Sequence, residues 1–147
     1  MKLAVGQKAP EIRLPDQNGA EYTLSQYLGK WVLVYFYPMD DTPGCTKEAC
    51  ALRDNLPHLK NLDAVVLGIS SDSVESHKKF EEKYGLPFTL LADEQKQAIE
   101  VYDVKGVMGT KRTSFLIDPQ GNIAKIYEVV NPEAHAQEVI TDLKNLK

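Results

Sequence analysis

The chain has 147 residues, of which 43 % are hydrophobic and 26 % charged, with 17 Lys+Arg against 21 Asp+Glu and a net charge of −4. These are ordinary globular values, and two cysteines are too few for a disulfide-scaffold protein. The mild acidity speaks against nucleic acid as a partner, because phosphate-backbone binding needs a basic surface.

The length suits a single domain over residues 1–147. The longest apolar run, Trp31 to Tyr37, spans seven residues, against the roughly 20 that a membrane-crossing helix needs. The opening residues carry no signal-type apolar segment. A soluble, cytoplasmic protein with no membrane partner is expected.

In chain order, Glu11–Leu14 and Glu21–Leu24 flank a turn at Asn18-Gly19 and predict a β-hairpin. Ser25 is the expected cap of a short helix ending at Gly29. Trp31–Tyr37 is apolar, β-branched and aromatic throughout, the pattern of a central strand buried on both faces. After a polar loop, Cys45, Ala49, Leu52 and Leu56 form a helical stripe, expected to stop at Pro57.

Ala64–Ile69 predicts a second buried strand. Asp72 or Ser73 then caps a helix, with Glu75 placed for a capping box on Asp72 and Gly85 ending it. Phe88–Leu91 predicts a short strand, followed by a helix capped by Asp93 and reaching about Tyr102. Thr113–Ile117 and Ile123–Val129 predict a second hairpin. Asn131 as cap and Pro132 as first residue open a last helix, with Ala136, Val139, Ile140 and Leu143 facing the core. This alternation implies an α/β fold with a mixed central sheet, helices on both faces and an N-terminal β-hairpin extension. It is compatible with a thioredoxin-like fold but does not single that fold out.

The segment with the most chemistry runs from Tyr37 to Cys50, where a central strand hands over to a helix. That edge of an open α/β sheet is the usual ligand site. Cys45 falls in the first helical turn, where free backbone N–H groups and the helix dipole favour an anion, the setting of reactive thiolates. Thr42 lies three residues upstream, within reach of the sulfur or of an oxygen bound beside it. Pro43 and Gly44 allow a tight turn and close backbone approach.

Cys50 is five residues on. An ideal helix puts the two Cα atoms roughly 8.7 Å apart, beyond the ~6.8 Å that a disulfide normally allows. Either the two never pair, or pairing unwinds the first turns of the helix. Arg112 precedes a strand. It reads as a plain exposed residue, or as a guanidinium that supports the thiolate and binds a peroxide or carboxylate oxygen. Glu48 reads as a solvated helix residue or as the partner of that arginine. His58, His77 and His135 form no ligand pair, His77 reading as a core-edge residue, and no metal is expected.

At this point the residues carry a resemblance. Pro38-Met-Asp-Asp-Thr42-Pro-Gly-Cys45 resembles the peroxiredoxin active-site motif. The extension to Cys50 is similar to that of the bacterioferritin comigratory protein (peroxiredoxin Q) branch, and Gly109–Asp118 to the stretch bearing that family's active-site arginine. The likeness spans nearly the whole chain and implies a thioredoxin-like fold and thiol peroxidase activity on hydrogen peroxide and organic hydroperoxides.

The resemblance assigns Cys45 as the peroxidatic thiolate, with Thr42, Arg112 and the backbone near Gly44 binding the peroxide. Pro38 shields the pocket, Cys50 resolves the sulfenic acid as an intramolecular disulfide, and Glu48 is supporting at best. It further implies recycling by thioredoxin or a similar dithiol, no cofactor, and a monomer or at most a weak dimer. The alternative is a thiol–disulfide electron carrier without peroxidase activity. The missing C-x-x-C speaks against it.

Overall fold

The computed structural model describes residues 3–107 and 109–147. Its N-terminal hairpin pairs β1 (Arg13–Pro15) with β2 (Glu21–Thr23), Leu14 opposite Tyr22. Beyond it lie β3 (Trp31–Phe36), α1 (Pro43–Asn61), β4 (Ala64–Ser70), α2 (Val74–Tyr84), β5 (Thr89–Ala92) and α3 (Gln97–Val101). A two-residue pair, β6 (Lys105–Gly106) and β7 (Gly109–Thr110), precedes β8 (Thr113–Ile117), β9 (Ile123–Tyr127) and α4 (His135–Leu146).

The main sheet has the order β5-β4-β3-β8-β9, with β3, β4 and β5 parallel and β8 and β9 antiparallel. This is the expected mixed α/β sheet with β3 at its centre. Strand periodicity divides the core. Leu33, Tyr35 and Tyr37 face one way, against the stripe of α1, Phe80 of α2 and Ala136, Val139, Ile140 and Leu143 of α4. Val32, Val34 and Phe36 face the other way, against Ile99, Tyr102, Phe115 and the hairpin residues Ile12 and Leu14. The hairpin also covers the β5 edge, where the Leu90 N–H donates to Gln17 Oε1 (3.0 Å) and Gln17 Nε2 donates to the Phe88 carbonyl (3.1 Å).

Local boundaries depart from expectation for identifiable reasons. The short helix after β2 is a 3-10 turn over Leu24–Tyr27, capped by Thr23 rather than Ser25. The Thr23 N–H donates to Gln26 Oε1 at 2.8 Å. Helix α1 does not stop at Pro57 but runs on to Asn61. An interior proline costs about 3 kcal/mol. The stripe on either side of it buries Leu56 and Leu59 almost completely, and each such side chain contributes about 1.5–3 kcal/mol.

Ser73, not Asp72, caps α2 by accepting from the Ser76 N–H (3.1 Å), and no capping box forms on Asp72. The N-cap of α3 is Lys96 rather than Asp93, and the Asp93 carboxylate still serves the helix start by accepting from the N–H groups of Gln97 and Ile99 (both 2.8 Å). The last helix begins at His135 rather than Pro132. Asn131 instead holds the turn leading into it, accepting from the Glu133 N–H at 3.0 Å.

If burial carries α1 past its proline, Leu59→Ala should lower unfolding stability by about 2–5 kcal/mol. Amide exchange should then show the helix fraying from its C-terminal end back towards Pro57.

Candidate active site

Three elements converge at the carboxyl end of β3. Helix α1 begins there after the 38–42 loop, with Thr42 as its N-cap and Pro43 in its first turn. Strand β8 runs antiparallel to β3 with Thr113 opposite Phe36, so the residue just before β8 arrives at the same edge. That residue is Arg112, 67 positions from Cys45 in the chain.

Arg112 Nη2 lies 3.4 Å from Cys45 Sγ, and Nη1 donates to Glu48 Oε1 at 2.8 Å. Of the two readings of Arg112, the structure takes the one in which it meets the thiol. Cys45 is 1 % exposed and Glu48 wholly buried. Burial opposes the charge on Arg112, but the Cys45 sulfur and the Glu48 carboxylate outweigh it and hold the guanidinium proton more tightly. Burial pushes the Glu48 carboxyl up to about 7, against the pull of the same guanidinium. Glu48 Oε2 and the hydroxyl of Tyr35 are buried without a hydrogen-bond partner among the described residues.

The first helical hydrogen bond of α1 runs from the Thr46 N–H to the Thr42 carbonyl (2.8 Å). The N–H groups of Gly44 and Cys45 precede it and point from the positive end of the helix dipole. Together with the guanidinium they form a cradle for negative charge on sulfur or on an oxygen beside it. Gly44 leaves room for the guanidinium, because a Cβ there would sit 2.9 Å from Arg112 Nη2 and push that flexible tip aside.

Thr42 sits at the mouth, its hydroxyl donating to the Met39 carbonyl (2.9 Å) rather than to the sulfur, which leaves its oxygen free to accept. Pro38 and Met39 are exposed on the rim. Cys50 is half-buried on the same unbroken helix, and both cysteines are free thiols.

Several residues around this loop escaped the sequence reading. Asp40 Oδ1 accepts from the Tyr37 hydroxyl (2.6 Å), and Oδ2 accepts from Ser76 Oγ (2.8 Å) and meets His77 Nδ1 (2.7 Å). The Asp40 N–H donates to Asp72 Oδ2 (2.8 Å), which also accepts from Ser70 Oγ (2.6 Å). His77 is thus fully buried rather than at the core edge, its Nε2 meeting the Leu91 carbonyl at 3.0 Å. Asp40, Asp72 and His77 are close enough to share a metal ion, but these hydrogen bonds already occupy them. The only sequence signal for the network was a pair of adjacent aspartates in the loop, which names no partner.

Residues 5–126 match the AhpC/TSA family model. The chain is 43 % identical to "Peroxiredoxin Bcp" of Bacillus subtilis, covering 99 % of this chain and 98 % of that one. It is 47 % identical to "Putative peroxiredoxin bcp" of Coxiella burnetii, covering 95 % and 98 %. The crystal structure of a mutant PrxQ from Xylella fastidiosa superposes with a TM-score of 0.94 at 33 % identity, covering 99 % and 98 %. The Xylella protein shares the sheet and helices described above over nearly its full length.

Two outcomes follow from the geometry. In Gly44→Ala the new methyl displaces the tip of Arg112, so the protein should fold with near-normal stability while the Cys45 thiol loses at least about tenfold in its rate with peroxide. The second outcome concerns Glu48, whose carboxyl is raised from the ordinary 4.5 to about 7. The folded chain therefore keeps this proton over a range where the unfolded chain has released it. Its contribution to stability is full below the lower value and falls as pH rises to the higher one. Glu48→Gln stays neutral, so its melting temperature should gain about 5 °C on the wild type between about pH 5 and about pH 8.

Proposed function

The chain belongs to the AhpC/TSA family, as a peroxiredoxin of the Bcp and peroxiredoxin Q branch, and on that premise we propose which of its residues carry the thiol peroxidase reaction. The observation that supports the assignment is the Arg112 guanidinium, 3.4 Å from Cys45 Sγ and held from behind by buried Glu48.

Cys45 acts as the peroxidatic thiolate. Its sulfur attacks one peroxide oxygen and the O–O bond breaks. The sulfur keeps that oxygen as a sulfenic acid, and the other oxygen takes up a proton and leaves as water or an alcohol. Arg112 and the N–H groups of Gly44 and Cys45 stabilise the negative charge that passes from sulfur to the departing oxygen. The Thr42 hydroxyl oxygen accepts from the peroxide O–H, Pro38 screens the mouth from water, and Glu48 positions Arg112.

Cys50 is the resolving residue. Its thiolate attacks the Cys45 sulfur, forming the S–S bond and expelling the hydroxyl, which leaves as water with the proton of the Cys50 thiol. Helix geometry supports a coupled movement, since the two Cα positions of an intact helix are roughly 8.7 Å apart and the first turns of α1 must open. A dithiol protein of the thioredoxin type then supplies two electrons and restores both thiols. The same reading places the protein in the cytoplasm, as a monomer or at most a weak dimer, with hydrogen peroxide and organic hydroperoxides as substrates and no metal or organic cofactor. No described helix is long and apolar enough to cross a membrane. The carrier alternative is disfavoured, because it gives Arg112 and Glu48 no task at the sulfur.

The test is single-turnover oxidation with one equivalent of hydrogen peroxide, read by quenched intact mass, because the single tryptophan, Trp31, lies at the far end of β3. Wild type should react fast and lose about 2 Da. Cys45→Ser should not react, and Cys50→Ser should stop at the sulfenic acid, heavier by about 16 Da. Arg112→Lys, which removes the planar fork, should slow the first step by about a hundredfold. Slow oxidation of the wild type would sink the assignment.

A further inference from the structure

The loop that presents Cys45 is fastened to α2 by two adjacent aspartates of different character. Asp40 is held inside, its side chain 4 % exposed against the wholly buried His77. Tyr37, Ser76 and His77 engage its carboxylate, and Asp72 takes its N–H. Asp41 is held at the surface. One of its oxygens accepts from Tyr84 Oη (2.6 Å) and the other from Lys83 Nζ (2.7 Å). Its backbone has φ +56°, a left-handed conformation that a non-glycine residue keeps only when its surroundings impose it.

Between Asp41 and Cys45 lie only Thr42, Pro43 and Gly44. Any unwinding of the first turns of α1 therefore pulls directly on Asp41. The buried bonds of Asp40 resist that pull, whereas the bonds of Asp41 lie where water can replace them.

We propose that Asp41 is a latch and Asp40 the fixed hinge of the movement that brings Cys45 to Cys50, so that Lys83 and Tyr84, outside the catalytic site, set how often the helix start opens. This rests on the two-cysteine cycle proposed above. Latched, the site is complete and reacts with peroxide. Unlatched, residues from 41 onward swing out while Asp40 stays docked on α2. The latch thereby holds back resolution and lengthens the time during which the sulfenic acid is open to a second peroxide.

The test separates the two chemical steps in Lys83→Met/Tyr84→Phe, which leaves the catalytic residues untouched and keeps the ring that packs on Phe80. Quenched-flow mass measurements should show the second-order oxidation of Cys45 unchanged and disulfide formation faster by about threefold to tenfold. The peroxide concentration that over-oxidises half the protein should rise by the same factor. In wild type, amide exchange of the disulfide form should show lost protection over 42–50 and retained protection at Ser76 and His77.

Disulfide formation within a factor of about two of wild type, or lost protection at Ser76 and His77, would overturn the latch and hinge. So would equal slowing of both steps, which marks a bond that merely shapes the site. Failure of the wild type to form the Cys45–Cys50 disulfide at all would instead overturn the two-cysteine cycle beneath it.

Discussion

One guanidinium is shared between a sulfur and a buried carboxylate, and the rest of the site depends on that sharing. Glu48 without Arg112 would be a lone carboxyl in the core. Arg112 without Glu48 and Cys45 would be a half-buried cation with nothing to repay its lost hydration. The carboxylate and the guanidinium each offset part of what the other loses in hydration. The requirement reaches outward: β8 must run antiparallel beside β3 to deliver Arg112, and residue 44 must lack a Cβ so that the guanidinium can lie against the helix start. In the proposed reaction, a single cation so held needs little reorganisation as charge moves from sulfur to oxygen, which is the condition for strong electrostatic catalysis.

The same helix start faces opposite demands. In the proposed cycle, charge stabilisation wants it rigid, while a disulfide between positions five apart wants it open. Cys45 and Glu48 are as buried as the rest of the helix stripe, and the difference lies in the exposed loop that leads into α1. Leu52, Leu56 and Leu59 pack the far part of α1 into the core, so that part of the helix has no reason to move. Ahead of α1, Pro38, Met39 and Asp41 are exposed, the setting in which local opening costs little. Polar bonds to α2 do the holding there, and such bonds exchange readily with water where they are exposed.

Much of the site was legible in the sequence because its parts are local. The strand-to-helix handover, the Thr42-Pro-Gly-Cys45 turn and the position of Cys45 in a first helical turn all lie within a dozen residues, where spacing alone determines relative placement. Glu48 was half legible: it read as a solvated helix residue or as the partner of the arginine, and a charged side chain next to an apolar stripe cannot be placed until its counter-ion is known. Arg112 was recognised through resemblance, since nothing in its own neighbours separates it from an exposed basic residue.

What the sequence by itself determined about this protein is therefore the order of elements, the central place of Trp31–Tyr37, the place of Cys45 in a first helical turn and its separation from Cys50 along one helix. All of these follow from short-range period and propensity. What only the tertiary structure decided is which distant groups share the site: Arg112 against Cys45 and Glu48, and Asp40 and Asp41 against His77, Lys83 and Tyr84. The physical reason is that those meetings depend on strand order and on which helix face the loop settles against. The continuation of α1 through Pro57 was decided in the same way, by the burial of Leu59 against a core that local sequence does not contain.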